Sequence, residues 1–248
     1  VSTIRRLEAR LRREVRWRRL SLHRKVLIAP KRVCCSVCGW SGSRMAADFR
    51  GRKGRLCPRC CSSERDRALA LELRSRSPAP RGARLLEIAP IGLVEALATE
   101  LGYEHHSADL SSTRATVRAD LCGLPFPDRS FDLVVCFHVL EHIPDDRSAA
   151  RELRRVLRSG GEALVVVPFD AGRAETFEDP TTPPEDRERL YGQSDHVRIY
   201  GADVSARWRE GGVVLEESLW SERFAPEEVV TRRIAGRDDR FWIFHPAD

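Results

Sequence analysis

Residues 84–109, RLLEIAPIGLVEALATELGYEHHSAD, decide the fold. Leu85–Ala89 is a short apolar run of strand length. Leu93–Leu101 repeats its apolar residues at helical spacing and stops at Gly102. Tyr103–Ala108 is a second strand, ending at Asp109. Strand, helix, strand, with a first strand that does not alternate polar and apolar residues, predicts a parallel pair covered on both faces.

The pattern continues outward. Thr116–Ala119 is a short third strand ending at Asp120, and Phe131–Phe137 a strongly apolar fourth. Arg147–Leu157 is a helix closed by Gly160 and Gly161, and Ala163–Val167 is a fifth strand. Val213–Leu219 and Arg240–Phe244 supply two more. The fold class expected is therefore α/β, a mostly parallel sheet with helices on both faces. In such sheets ligands bind beyond the carboxyl ends of the strands, near the point where strand order reverses. Those ends carry Glu87, Asp109, Asp120 and His138. A carboxylate after the second strand suits the two hydroxyls of a ribose, and one after the third suits an exocyclic amine. Each alone also reads as a helix cap or turn residue. Taken in order they describe a nucleoside cleft.

Upstream lies a cysteine cluster. Cys35-x2-Cys38 and Cys57-x2-Cys60, eighteen residues apart, have the spacing of a zinc ribbon. Two residues between cysteines let both thiolates face one tetrahedral ion from a tight turn. Gly39 relieves the first turn and Pro58 stiffens the second. Structural Zn2+ is the favoured role, with a redox dithiol as the alternative. Cys34 and Cys61 adjoin proposed ligands and could each replace one by a one-residue shift, whereas Cys122 and Cys136 read as core. The helix after the ribbon spans roughly Ser63–Leu73, and SRSPAPRG (75–82) reads as a linker.

Charge is divided unevenly. Residues 1–67 carry a net +15 and residues 68–248 a net −9, within an overall +6. Ile4, Leu7, Leu11 and Val15 recur at helical spacing among arginines, predicting a basic amphipathic helix over 1–30. It reads as a helix docked on its own domain, a membrane-surface anchor or a nucleic-acid arm, and Trp17 leans toward the membrane surface. No apolar run approaches the length of a membrane span, and the charged N-terminal stretch has no secretory leader pattern. A cytoplasmic placement, peripheral at the inner membrane surface if the helix anchors, is expected.

The series Leu85-Leu86-Glu87, Ala108-Asp109-Leu110, Leu124-Pro125-Phe126, Ser130-Phe131-Asp132, Leu140-Glu141-His142 and Val156-Leu157-x2-Gly160-Gly161 resembles the class I S-adenosylmethionine-dependent methyltransferases of the type 11 kind. The ribbon and the segment around Gln193-x-Asp195-His196-Val197-Arg198 resemble a bacterial subgroup, many of which serve polysaccharide or secondary metabolism. The resemblance covers about residues 84–168 and implies a Rossmann-like seven-stranded methyltransferase sheet. It implies that Glu87 and the loop with Ala89, Pro90 and Gly92 contact the methionine part of S-adenosyl-L-methionine. Asp109 and Leu110 would hold the ribose, Asp120 and Leu121 the adenine, and His138 would border the sulfonium. Glu141 and His142 are expected to be structural. The turn after the first strand keeps only Gly92, where the family usually has several glycines.

Residues 170–201 form a long insertion, and such loops usually carry specificity. Gln193, Asp195, His196, Arg198 and Tyr200 are expected to line the acceptor pocket, with His196, Arg198 and Tyr200 sharing one face of an extended stretch. A hydroxyl acceptor needs its proton removed, and a neutral imidazole suits that task; His196 is the first candidate and His138 the second. The organisation expected is a basic helix over 1–30, a zinc ribbon with connecting helix over 31–74, a linker over 75–83 and a methyltransferase domain over 84–248. The reaction expected is methylation of a sugar, glycan or other small-molecule acceptor, at oxygen. An RNA methyltransferase and a non-catalytic binding module are the alternatives.

Overall fold

A computed structural model of the chain describes residues 33–48, 51–76, 78–234 and 239–246. The expected basic helix over 1–30 lies outside the described residues. Two compact units are present. One holds the described residues up to Glu72 together with Trp220–Asp239, and the other holds Leu73–Leu219 and the chain from Arg240 onward.

The first unit begins with a hairpin of β1 (Val33–Cys34) and β2 (Ser41–Gly42). Around the cysteines a cluster of Val33, Cys35, Met45 and Cys57 is buried, too little apolar surface to hold that hairpin and its turns by itself. Two turns flank the cluster and repeat one hydrogen-bond pattern. Gly39 N donates to Cys35 O and Cys35 N to Trp40 O; Cys61 N donates to Cys57 O and Cys57 N to Ser62 O. Gly39 and Cys61 both take positive φ, 69° and 62°. Cys61 is thus the second turn's counterpart of Gly39. The helix Glu64–Ser75 follows, opened by a reciprocal cap in which Asp66 Oδ2 accepts from Ser63 N (2.7 Å).

The segment Trp220–Asp239, expected in the methyltransferase domain, is gathered into this unit instead. Arg67 is the reason. It is fully buried, and its guanidinium donates to the carbonyls of Ser62, Arg232 and Arg233, each at 2.7 Å. Arg223 pairs with Glu72 at 2.7 Å. A guanidinium reaching carbonyls 165 residues away leaves no local pattern in the sequence.

The second unit is built on β3 (Arg84–Ile88), β4 (Glu104–Asp109), β5 (Val117–Arg118), β6 (Phe131–Phe137), β7 (Leu157–Val166), β10 (Val214–Leu219) and β11 (Arg240–His245). A separate two-stranded sheet pairs β8 (Phe177–Glu178) with β9 (Arg198–Ile199). The seven strands lie in the order β10-β11-β7-β6-β3-β4-β5. All pairs are parallel except those made by β11. The chain runs outward from β3 to β5, then returns to β6 on β3's other side, so the switch point lies between β3 and β6. The helices Leu93–Leu101 and Asp146–Arg155 cross between parallel strands. Leu86, Val134, Cys136 and Val165 of the sheet pack with Ala149, Ala150 and Leu153 of the second helix and with Trp208, Trp242 and Phe244.

Strand β7 differs from expectation. It starts at Leu157 and runs through Gly160 and Gly161, where the residue pattern predicts the stop of a helix. The β6–β7 register shifts between Phe131 and Leu133, and a Cβ on Gly161 would stand 3.0 Å from the Phe131 carbonyl oxygen. The glycine serves a close backbone approach at a bulge.

Candidate functional site

A cavity of about 360 Å3 opens at the carboxyl ends of β3–β6. Such volume is in the range of small-molecule sites. Each strand end contributes to its wall: Ile88 and Ala89 after β3, Ala108 to Ser111 after β4, Ala119 to Leu121 after β5, and His138 and Val139 after β6. Ala89 and His138 flank the switch point, and both take φ of 56°. Non-glycine residues rarely adopt that conformation, and it concentrates at functional sites. Both are pinned by the ladder beside them: Ala89 N donates to Ala108 O (2.9 Å) and His138 N to Val166 O (2.7 Å). Ala89 therefore bends a turn that lacks the expected glycines.

The acidic residues divide by role. Asp109 Oδ1 accepts from Ser111 N (2.7 Å) and Ser112 N (2.5 Å), which shapes the turn, and neither bond uses Oδ2. Asp120 lines the same wall while its Oδ1 caps a short helical turn at Cys122 N (2.8 Å). Glu87, expected at the cofactor, is 2% exposed and does not line the cavity. Its Oε1 accepts from Ile91 N (3.1 Å) and its Oε2 faces His105 Nε2 at 3.0 Å. It braces the Ala89–Ile91 turn from behind, and burial pushes its pKa up. Pro90 and Gly92 also stand off the wall.

The insertion requires a larger correction. His196, Arg198 and Tyr200 do share one face, but that face is buried, at 3%, 2% and 0% exposure. Arg198 donates to the carbonyls of Leu140 (2.9 Å), Ile143 (2.5 Å) and Pro144 (2.8 Å) and pairs with Glu178 at 2.7 Å. Tyr200 donates to Asp146 (2.9 Å), which also pairs with Arg207 at 2.7 Å. These residues clamp the insertion onto the segment after β6 and do not line the cavity. Gln193 is exposed and also off the wall; of the five only Asp195 lines it.

His142, expected to be structural, lines the cavity, as do Val139 and Ile143. Its spacing from His138, four residues along the same segment, was the available signal. His138 Nδ1 lies 3.2 Å from Oε1 of the buried Glu141. That places a carboxylate behind an imidazole whose other face borders the cavity. Burial raises the pKa of Cys136, and of Cys122 to about 11, so neither is a reactive thiolate.

In the first unit the sulfurs of Cys35, Cys38, Cys57 and Cys60 lie within 4.8 Å of one another. Cys35 to Cys60 and Cys38 to Cys57 are each 3.7 Å apart. A tetrahedral ion with sulfurs at about 2.3 Å has edges of roughly 3.8 Å, so the donor set fits such an ion. Hydrogen bonds from Cys57 and Cys60 hold the Cys35 pKa down. Cys34 and Cys61 lie outside the cluster.

The strand order and the nucleoside-sized cavity at its switch point define the Rossmann-like methyltransferase fold. A solved S-adenosylmethionine-dependent methyltransferase from Mesorhizobium loti shares it, with a TM-score of 0.50 and 19% identity, over 71% of this chain and 96% of that one. Residues 105–165 match the family described as Methyltransferase domain. A probable S-adenosylmethionine-dependent methyltransferase of Mycobacterium tuberculosis is 44% identical over 61 residues, 23% of this chain and 22% of that protein. The 27-O-demethylrifamycin SV methyltransferase of Amycolatopsis mediterranei is 32% identical over 113 residues, 43% of this chain and 42% of that protein. The matched stretch, residues 105–165, is similar to a methyltransferase domain, and the relatives it matches include S-adenosylmethionine-dependent methyltransferases. The chain spans between 17% and 42% of the length of the curated relatives it matches. Among the described residues no helix is long and apolar enough to cross a membrane.

Proposed function

We propose that the chain transfers a methyl group from S-adenosyl-L-methionine to an oxygen of a small-molecule or sugar acceptor, with Zn2+ held by Cys35, Cys38, Cys57 and Cys60. The observation carrying this reading is the cavity at the switch point, with Asp109, Asp120 and His138 in its lining and the buried Glu141 behind His138. When bound, the cofactor supplies an electrophilic methyl carbon on a sulfonium. Asp109 Oδ2 would accept from the ribose hydroxyls while Oδ1 keeps the turn, and Asp120 and Leu121 would hold the base. Glu141 holds the proton of His138 on Nδ1, which leaves Nε2 to take the acceptor's proton. His138 therefore replaces His196 as the first candidate base, because His196 is buried off the cavity wall. Most of the rate gain comes from holding nucleophile, methyl carbon and sulfur in line.

Zinc would supply folding energy to the turns around the cysteines, where the buried cluster is small. A cluster of cysteine sulfurs spaced as zinc ligands supports a reducing, cytoplasmic compartment. The arginine-rich pattern of residues 1–29 supports contact with an anionic membrane surface.

Calorimetric titration with S-adenosylmethionine tests the reading. Binding is expected, and Asp109→Asn, which keeps a turn acceptor but removes the charge, is expected to weaken it about tenfold or more. Absence of binding, or unchanged affinity in the variant, removes the cofactor assignment. An acceptor screen read by mass gain of one methyl then identifies the substrate class.

A further inference from the structure

Glu141 faces two imidazoles besides His138. Nε2 of His142 and Nε2 of His196 each stand 4.0 Å from Glu141 Oε1. One donor atom from each of Glu141, His142 and His196 lies within 4.8 Å of those of the other two. The ring orientations are set from outside the cluster. His196 Nδ1 is 3.0 Å from the Tyr191 carbonyl oxygen, and His142 Nδ1 is 3.2 Å from that of Asp195. A carbonyl only accepts, so both Nδ1 atoms carry a proton, and in the neutral ring each Nε2 presents a lone pair. His196 is 3% exposed, and its Nε2 has no hydrogen-bond partner. Two lone pairs directed at a carboxylate repel it, and a shared cation reverses the sign of that interaction.

We propose that Glu141, His142 and His196 form a binding site for a divalent first-row transition-metal ion in the wall of the cleft. Two imidazoles and one carboxylate are the donor set of Zn2+ or Fe2+ sites that keep positions open. The surroundings are those of ligands. Each imidazole donates its other nitrogen to a backbone carbonyl, and the carboxylate faces His138 Nδ1 at 3.2 Å. Donors about 2.1 Å from an ion stand roughly 3.4 Å apart in a tetrahedron, so each 4.0 Å contact closes by about half an ångström. His142 lines the cavity while Glu141 and His196 are buried, so the open positions face the cleft. There the ion takes an oxygen of the acceptor and favours loss of its proton. That role rests on the methyl-transfer reading; the metal site itself does not.

The test is titration of Co2+ into the full chain with its four-cysteine site already loaded with Zn2+. One further equivalent is expected, with weak visible absorption and no sulfur-to-metal charge-transfer band. His142→Ala is expected to weaken that uptake about tenfold or more. The His142 side chain is 31% exposed, so its truncation leaves the packing in place, and circular dichroism checks the fold. No uptake beyond the four-cysteine site, or equal affinity in His142→Ala, overturns the proposal. Calorimetry with S-adenosylmethionine on the same samples separates the two readings. Cofactor binding without the second metal leaves methyl transfer standing and removes the metal site; the second metal without cofactor does the reverse.

Discussion

The four-cysteine cluster and the His–Glu cluster collect donors in opposite ways. The four sulfurs come from two C-x2-C turns with one repeated hydrogen-bond pattern, and their buried surroundings amount to a handful of residues. Glu141 and His142 come from one short helical turn and His196 from the insertion more than fifty residues on, brought together by a clamp of buried ionic groups around Asp146, Arg198 and Arg207. If zinc fills the first cluster as proposed, the fold there would depend on the ion. In the second, the donors would be held by packing and ion pairs that need no metal.

The largest effect should come from the first region. Cys57→Ser with Cys60→Ser removes two of four donors, and binding of on the order of 10 kcal/mol is folding energy in such sites. Metal analysis should show one zinc equivalent lost and proteolysis should open the region around Trp40, while S-adenosylmethionine binding persists. A zinc-free, protease-resistant variant would break the contrast.

Next comes the clamp. Asp146 is 1% exposed and accepts from Arg207, Tyr200 and Trp208. Asp146→Ala leaves the buried guanidinium groups short of a counter-charge and should destabilise the second unit by about 3 kcal/mol. Denaturant unfolding of the full chain measures this. A loss below about 1 kcal/mol would show that Glu178 alone suffices.

The smallest effect is acid sensitivity. Burial pushes the Asp146 pKa up, but hydrogen bonds from Arg207 and the charges of both arginines more than offset it, so the net shift is downward. Glu178 is also held low, with burial outweighed by Arg198 and Arg207. The unfolded chain therefore takes up protons first, and stability is full above the usual carboxylate range. It should fall as pH drops below about 4 toward the depressed native values. Unfolding midpoints measured on the second unit from pH 7 to pH 3 read this slope, and Asp146→Ala should flatten it.

Local pattern carried much of this protein into view. The helix Leu93–Leu101 and strand β6 fall where their periodicity places them, because each repeat is set by neighbours within a few residues. The four-cysteine cluster was legible because a C-x2-C turn is itself local. Asp109 and Asp120 reach the cavity because strand ends in a parallel sheet open on one side. Alternation also showed that His196, Arg198 and Tyr200 share a face. Which way that face looks was decided only in three dimensions, where carbonyls freed at the end of a short helical turn found the Arg198 guanidinium. The same holds for Arg67, which draws Trp220–Asp239 into the first unit, and for the meeting of His142 with His196. Spacing along a chain determines which residues can share a turn or a face. It carries no record of partners that only a buried charge, in need of acceptors, brings across more than fifty residues.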